Sequence, residues 1–182
     1  MAAATTLVSL ETYLETTYRP DCDWIDGELR ERNMGEKAHS GVQQFLCEYL
    51  GNRKRELGIL VYPELRVQTS ATHYRIADVC VTWDTDPDDL IVKTPPLLCV
   101  EILSRRDTLS DMQDRVDDYK SMGVRQVWVV DPFRRRAYIA SERGFLQPEA
   151  DVLTVEGTSI SVPLDEMFAA LAPKDQLPGT GR

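Results

Sequence analysis

The sequence predicts an α/β domain, and three features predict it. Two stretches with helical apolar spacing, 37–57 and 108–122, alternate with β-branched and apolar runs at 59–68, 74–83 and 97–103. Each helical stretch is followed by a glycine, Gly58 or Gly123, the residue that most readily takes the left-handed turn ending a helix. The run 97–103 is apolar almost without interruption, as a strand covered on both faces is.

The elements follow in order. Ser9 is the expected N-cap of a short helix reaching about Glu15, stopped by the Arg19-Pro20 step. Asp26-Gly27 separates Cys22-Asp23-Trp24-Ile25 from Glu28-Leu29-Arg30-Glu31. A type I′ hairpin is expected there, because its two central residues need positive φ. In the helix 37–57, Val42, Phe45, Leu46, Tyr49, Leu50 and Leu57 form the buried stripe. The strand 59–68 is expected to bend at Pro63. A polar loop, 84–96, joins 74–83 to 97–103. The helix 108–122 is followed by a hairpin of 127–130 and 137–140 across Asp131-Pro132-Phe133-Arg134. Weak strands near Val152 and Ile160 and a short helix over 164–171 complete a single domain, 1–171. The segment 172–182, with two prolines, two glycines and little to bury, is expected to be a disordered tail.

Composition narrows the class. At 182 residues the chain can bury a full core, and 42% apolar with 28% charged residues is the balance of a soluble protein. No apolar run approaches the roughly 20 residues that span a bilayer. No basic residue precedes the short apolar stretch at the N-terminus, so a signal peptide is not expected and the location is expected to be cytoplasmic. Cys22, Cys47, Cys80 and Cys99 are dispersed, with two histidines in the whole chain, which excludes a clustered zinc site and suits reduced, partly buried thiols. A net charge of −9 argues against a protein that coats nucleic acid, since that affinity comes from Lys and Arg on phosphate. Three basic clusters stand in this acidic background: Arg53-Lys54-Arg55, Arg105-Arg106 and Arg134-Arg135-Arg136. They matter only if the fold brings them to one side.

Two carboxylates occupy positions where charge is expensive. Asp78 lies within Ile76-Ala77-Asp78-Val79-Cys80-Val81, and Glu101 within Leu98-Cys99-Val100-Glu101-Ile102-Leu103. If the strands pair as a hairpin closed by 84–96, with Trp83 opposite Pro96, the same register sets Asp78 opposite Glu101. Cross-strand neighbours have Cβ atoms about 5 Å apart, so the two charges repel unless a cation sits between them. Oxygen ligands without a nearby thiolate or imidazole suit a hard ion, Mg²⁺ or Mn²⁺, and the chemistry such ions support is phosphodiester hydrolysis.

These motifs carry a resemblance. Tyr74-Arg75-Ile76-Ala77-Asp78-Val79, Pro95-Pro96, Val100-Glu101-Ile102-Leu103-Ser104, Asp118-Tyr119 and Val127-Trp128-Val129-Val130-Asp131-Pro132, together with Ile25-Asp26-Gly27-Glu28-Leu29, resemble the bacterial Uma-type family of putative restriction endonucleases. The likeness runs from about Leu7 to Leu171. It implies the PD-(D/E)XK superfamily fold, a restriction endonuclease-like mixed sheet flanked by helices, with Asp78 and Glu101 as the motif's metal-binding carboxylates. It also implies DNA as substrate, and a homodimer is the expectation for such a nuclease cutting two strands. Two departures are visible. Ala77 stands where the motif has proline, and Leu103 where it has lysine. The resemblance moves the basic residue to the next helix, four positions before Tyr119, where this chain has Arg115. Arg115 flanks the stripe of Met112, Val116 and Tyr119, and Lys120 on the other flank is the weaker stand-in. Arginine keeps the charge but does not give up a proton at ordinary pH.

Other signals carry less. Asp84-x-Asp86-x-Asp88 begins like an EF-hand, but Asp89 stands where glycine is needed and Pro95 where a bidentate glutamate is needed. His39 and Glu28 are secondary candidates. No phosphate-cradling glycine motif occurs. The reading is a Mg²⁺- or Mn²⁺-dependent DNA endonuclease using Asp78, Glu101 and Arg115. The rival is a catalytically silent module of the same fold that acts as a binding or structural protein, which Leu103, Arg115 and the net charge favour.

Overall fold

Local chemistry starts each element of the computed structural model, which describes residues 7–33 and 35–171; the tail expected at 172–182 lies outside them. Ser9 caps α1 (Leu10–Glu15), its hydroxyl accepting the Thr12 N–H at 3.1 Å. Strands β1 (Cys22–Ile25) and β2 (Glu28–Glu31) form the expected hairpin, with Asp26 at φ 50° and Gly27 at φ 90°. The helix expected over 37–57 is two helices, α2 (Lys37–Gly51) and α3 (Lys54–Leu57). Gly51 and Asn52 are poor helix formers, and Arg53 leaves the helical region at ψ 5°. Gly58 then closes α3 in the left-handed conformation.

The main sheet is mixed. Its order is β2-β1-β4-β5-β6-β7-β8, with β3 paired along the other side of β4. Strand β3 (Ile59–Gln68) keeps one register on both sides of Pro63, from Ile59 opposite Trp83 to Gln68 opposite Tyr74 on β4 (His73–Trp83). The expected bend is therefore a local twist: Glu64, next to Pro63, takes φ 50° and makes no ladder pair. β5 (Leu98–Ile102) pairs antiparallel with β4, then parallel with β6 (Gln126–Asp131) across the helix α4 (Leu109–Met122). Thr108 and Asp111 form a reciprocal capping box at the start of α4, and Gly123 ends it at φ 97°. β7 (Arg136–Ser141) completes the second expected hairpin, and β8 (Gly144–Leu146), three residues long, went unforeseen. A separate ribbon of β9 (Val152–Thr154) and β10 (Ser161–Pro163) precedes α5 (Leu164–Ala169).

Burial divides along the pleat. Leu98, Val100 and Ile102 pack with Val42, Leu46 and Leu50 of α2 and with Met167 and Phe168 of α5. Cys99, Val127 and Val129 pack on Met112, Val116 and Tyr119 of α4. Period-two alternation therefore sends Glu101, like Cys99, to the α4 face. A third cluster joins Tyr13 of α1 to Trp24 and Tyr74, fixing the hairpin against β4. All four cysteines are free.

Candidate active site

The β4–β5 register is the one expected. Val79 pairs with Val100, Cys80 with Cys99 and Val81 with Leu98, so one further step sets Asp78 against Glu101. Both are buried, Glu101 completely.

Every carboxylate oxygen of the pair has a donor. Asp78 Oδ1 accepts Arg32 Nη2 at 2.6 Å; Asp78 Oδ2 accepts the Ile102 N–H at 2.7 Å and lies 3.3 Å from His39 Nε2. Glu101 Oε1 accepts the Tyr119 hydroxyl at 2.7 Å, and Oε2 accepts Arg115 Nη1 at 3.2 Å and Arg32 Nη2 at 3.3 Å. The two acids respond differently. Burial pushes Asp78 up, but Arg32, His39 and the Ile102 N–H outweigh it and hold the carboxyl at about 2. For Glu101, burial wins over Arg32 and Arg115, with Asp78 adding to it, and the pKa is raised. Burial is the larger cause of this rise and repulsion from Asp78 the smaller.

Arg115 lies where the helical wheel puts it, on the α4 flank facing Glu101. It also reaches Asp107 at 3.6 Å and Asp23 at 3.9 Å. Lys120 makes no ion pair with either carboxylate. His39 is drawn to Asp78, its pKa raised because Asp78 outweighs the burial that would lower it. Glu28, in β2, makes no hydrogen bond or ion pair with Asp78 or Glu101. Two of the three basic clusters meet: the Arg105 guanidinium lies 4.7 Å over the Phe133 ring, next to Arg134, and pairs with Glu36 at 2.9 Å. Arg53-Lys54-Arg55 stays apart, on α3 and the turn before it, with Arg53 over Tyr49.

The residue that sequence reasoning missed is Arg32. It follows β2, and its N–H bonds Asp21 O at 2.8 Å, extending the hairpin by one rung. Period two puts Arg30 and Arg32 on one face, and Arg30 pairs with Asp114 of α4. That periodicity was the available signal, but it does not name the carboxylates Arg32 meets. A single nitrogen, Nη2, binds both. Its second terminal nitrogen, Nη1, is buried without a hydrogen bond, 3.7 Å from Asp23 Oδ1, and His39 Nδ1 is likewise unpaired. Arg32, His39 and Asp78 line a cavity of about 640 Å³, with Tyr18, Asp21 and Glu64 on its other walls.

This arrangement fits a divalent ion in one respect and resists it in another. One oxygen from each carboxylate converges on one cationic point, and such oxygens suit a hard ion. The cation at that point is Arg32. Among the described residues no group of three or more His, Cys, Asp and Glu is placed to hold a metal. Asp78 and Glu101 would supply two ligands, and water or substrate the rest.

Comparison with known proteins agrees with the fold. A family model described as Uma2, Putative restriction endonuclease, matches residues 10–166. The chain is similar to a solved structure, a putative nuclease belonging to DUF820 from Anabaena variabilis, with a TM-score of 0.76 at 17% identity. The match covers 90% of this chain and 98% of that one. Among curated proteins nothing matches significantly. Among the described residues no helix is long and apolar enough to cross a membrane.

Proposed function

We propose, for a chain that belongs to the Uma2 family of putative restriction endonucleases, a divalent-metal-dependent DNA endonuclease activity centred on Asp78 and Glu101. The observation that carries this reading is the convergence of two buried carboxylates from adjacent strands on one cation position. A purely structural carboxylate pair gains nothing from such a meeting, because the two charges repel.

When bound, Mg²⁺ or Mn²⁺ polarises the phosphate and lowers the pKa of an attacking water. The remaining work falls to the chain's own side chains. Asp78 and Glu101 would hold the ion, and the Ile102 N–H and Tyr119 hydroxyl fix their orientation. Arg115 balances Glu101 and offers a permanent positive charge for the developing charge on the phosphate, which requires no proton transfer. At the junction of Arg105 with the Phe133–Arg134 turn, Arg105 and Arg134, held by Glu36 and Asp131, are the arginines offered to the DNA backbone.

One observation favours the silent-module reading: an arginine already neutralises the carboxylates. Nicking of supercoiled plasmid with Mg²⁺ or Mn²⁺ decides between the two. The expected result is cleavage by the wild type and none by Asp78→Asn. No cleavage by folded wild-type protein with either ion would establish the silent module.

A further inference from the structure

We infer that Arg32 is a built-in plug, an autoinhibitory cation that occupies the metal position and must move into the neighbouring cavity before an ion can bind. The inference rests on the metal-site reading above and adds to it a residue and a direction of motion.

Four observations carry it. First, Nη2 is the one atom shared by the pair, 2.6 Å from Asp78 Oδ1 and 3.3 Å from Glu101 Oε2, so the two carboxylates that would hold an ion already share a cation. Arginine stays charged at any ordinary pH, so the plug cannot be removed by deprotonation and has to leave as a cation. Second, the guanidinium is not fully used where it is. Nη1 is buried with an ion-pair contact to Asp23 Oδ1 at 3.7 Å but without a hydrogen bond, so one terminal nitrogen forgoes a bond that water in the cavity would supply. Third, there is room. Arg32 lines the 640 Å³ cavity that also exposes Asp78. Two acids on its walls, Asp21 and Glu64, are exposed and can receive the displaced guanidinium. Fourth, the backbone need not follow. The Arg32 N–H is fixed to Asp21 O at 2.8 Å, so the proposed movement is of the side chain on an anchored backbone.

The opposite arrangement, a structural clamp, makes the opposite prediction. If Arg32 only holds the carboxylates together for the ion, removing it splays them and weakens binding. As a plug, its removal opens the position and strengthens binding.

The test is titration with Mn²⁺ alone, following free ion by electron paramagnetic resonance, on the wild type, Arg32→Gln and Asp78→Asn. The expected result is at least about tenfold tighter binding by Arg32→Gln than by wild type, the size of an ordinary coupling between sites, and none by Asp78→Asn. Equal or weaker binding by folded Arg32→Gln, with wild type still binding, would overturn the plug and leave the metal site standing. If neither protein binds Mn²⁺ the metal-site reading fails, and the plug with it. Should Arg32→Gln not fold, the wild type answers alone. The Arg32 guanidinium ¹⁵N resonances, held in slow rotation between the carboxylates, should average on saturation with Mg²⁺. Resonances unchanged at saturation would overturn the proposal.

Discussion

Strand β4 carries two buried ionic networks, around Arg75 and around Asp78, and they are built differently. Arg75 Nε donates to Asp118 Oδ2 at 2.6 Å and Nη1 to Asp23 Oδ2 at 3.1 Å. Asp23 Oδ1 takes the Ile76 N–H at 3.0 Å, and Asp118 Oδ1 meets His73 Nδ1 at 2.9 Å. Each carboxylate there has its own set of donors. Around Asp78, two carboxylates share one nitrogen, two nitrogens lack a hydrogen bond, a cavity opens alongside, and Asp23 lies within ion-pair reach of Arg32 and Arg115. The Arg75 network ties the hairpin, β4 and α4 into one unit, which is what a structural network does. The Asp78 network keeps like charges together at a cost, which is what a site does.

The sharpest break between the two is in activity. Asp78→Asn is expected to reduce Mn²⁺-supported nicking to background while the protein remains folded. Arg75→Ala, measured at a temperature where it is still native, is expected to retain nicking. Loss of activity in folded Arg75→Ala would mean that the networks work as one.

Stability should divide the other way. Removing Arg75 leaves the buried Asp23 without its closest cation and the half-buried Asp118 with His73 alone, a defect that costs about 3–5 kcal/mol at most, read as a fall in the denaturant midpoint. Asp78→Asn should cost less, on the order of 2 kcal/mol. The Asp78 pKa is depressed, so its charged form is the stabilising one. The loss should be full at neutral pH and disappear as the pH falls toward about 2, where the wild-type carboxyl protonates as well. The substitution is costly because Arg32, His39 and the Ile102 N–H already favour the charged carboxylate.

Glu101 should behave with the opposite sign. Its pKa is raised, so its favourable contribution is present at low pH and is lost as the pH rises through the folded value. Glu101→Gln is then expected to be slightly less stable than wild type in acid and to close or reverse that gap toward neutrality, by about 1 kcal/mol or less. Melting temperatures across pH 4 to 8, as an approximate window around ordinary carboxylate values, check this. A gap that widens toward neutrality would mean that the arginines outweigh burial at Glu101.

How much of this was readable in the sequence follows from which interactions are local. Asp78 opposite Glu101 came from one hairpin register, and strand alternation leaves little freedom once that register is set. Arg115 came from the family resemblance, four positions before Tyr119, and the helical repeat around Met112, Val116 and Tyr119 added only the flank on which it lies. The break between α2 and α3 was missed because apolar spacing continues through Leu57 and hides the change at Asn52 and Arg53. Arg32 was missed for a different reason. Its partners depend on how the β1–β2 hairpin lies against β4, where the ladder is two pairs, Trp24 with Tyr74 and Ile25 with His73, and the rest of the docking is the Tyr13 cluster and the Arg75–Asp23 contact. Two rungs of pairing between distant segments leave no local pattern.

The smallest expected effect tests the cation nearest Glu101. Arg115 contacts three carboxylates, Glu101 at 3.2 Å, Asp107 at 3.6 Å and Asp23 at 3.9 Å, and only the first is a hydrogen bond. A lysine at this position loses the outer two contacts but can keep a charge at Glu101 Oε2, and Asp107 retains Asn33 at 2.9 Å and the Ser104 N–H at 2.7 Å. Arg115→Lys is therefore expected to nick plasmid within a few-fold of wild type, at equal or higher rate, whereas Arg115→Ala falls to background. The split matters because both variants disturb the same buried shell. If Arg115 acted only by packing, lysine and alanine would lose activity together, since neither fills the guanidinium's space. If instead activity survives in Arg115→Ala and falls in Lys120→Ala, the working cation is Lys120, and the Glu101–Arg115 pair belongs with Arg75 among the structural networks.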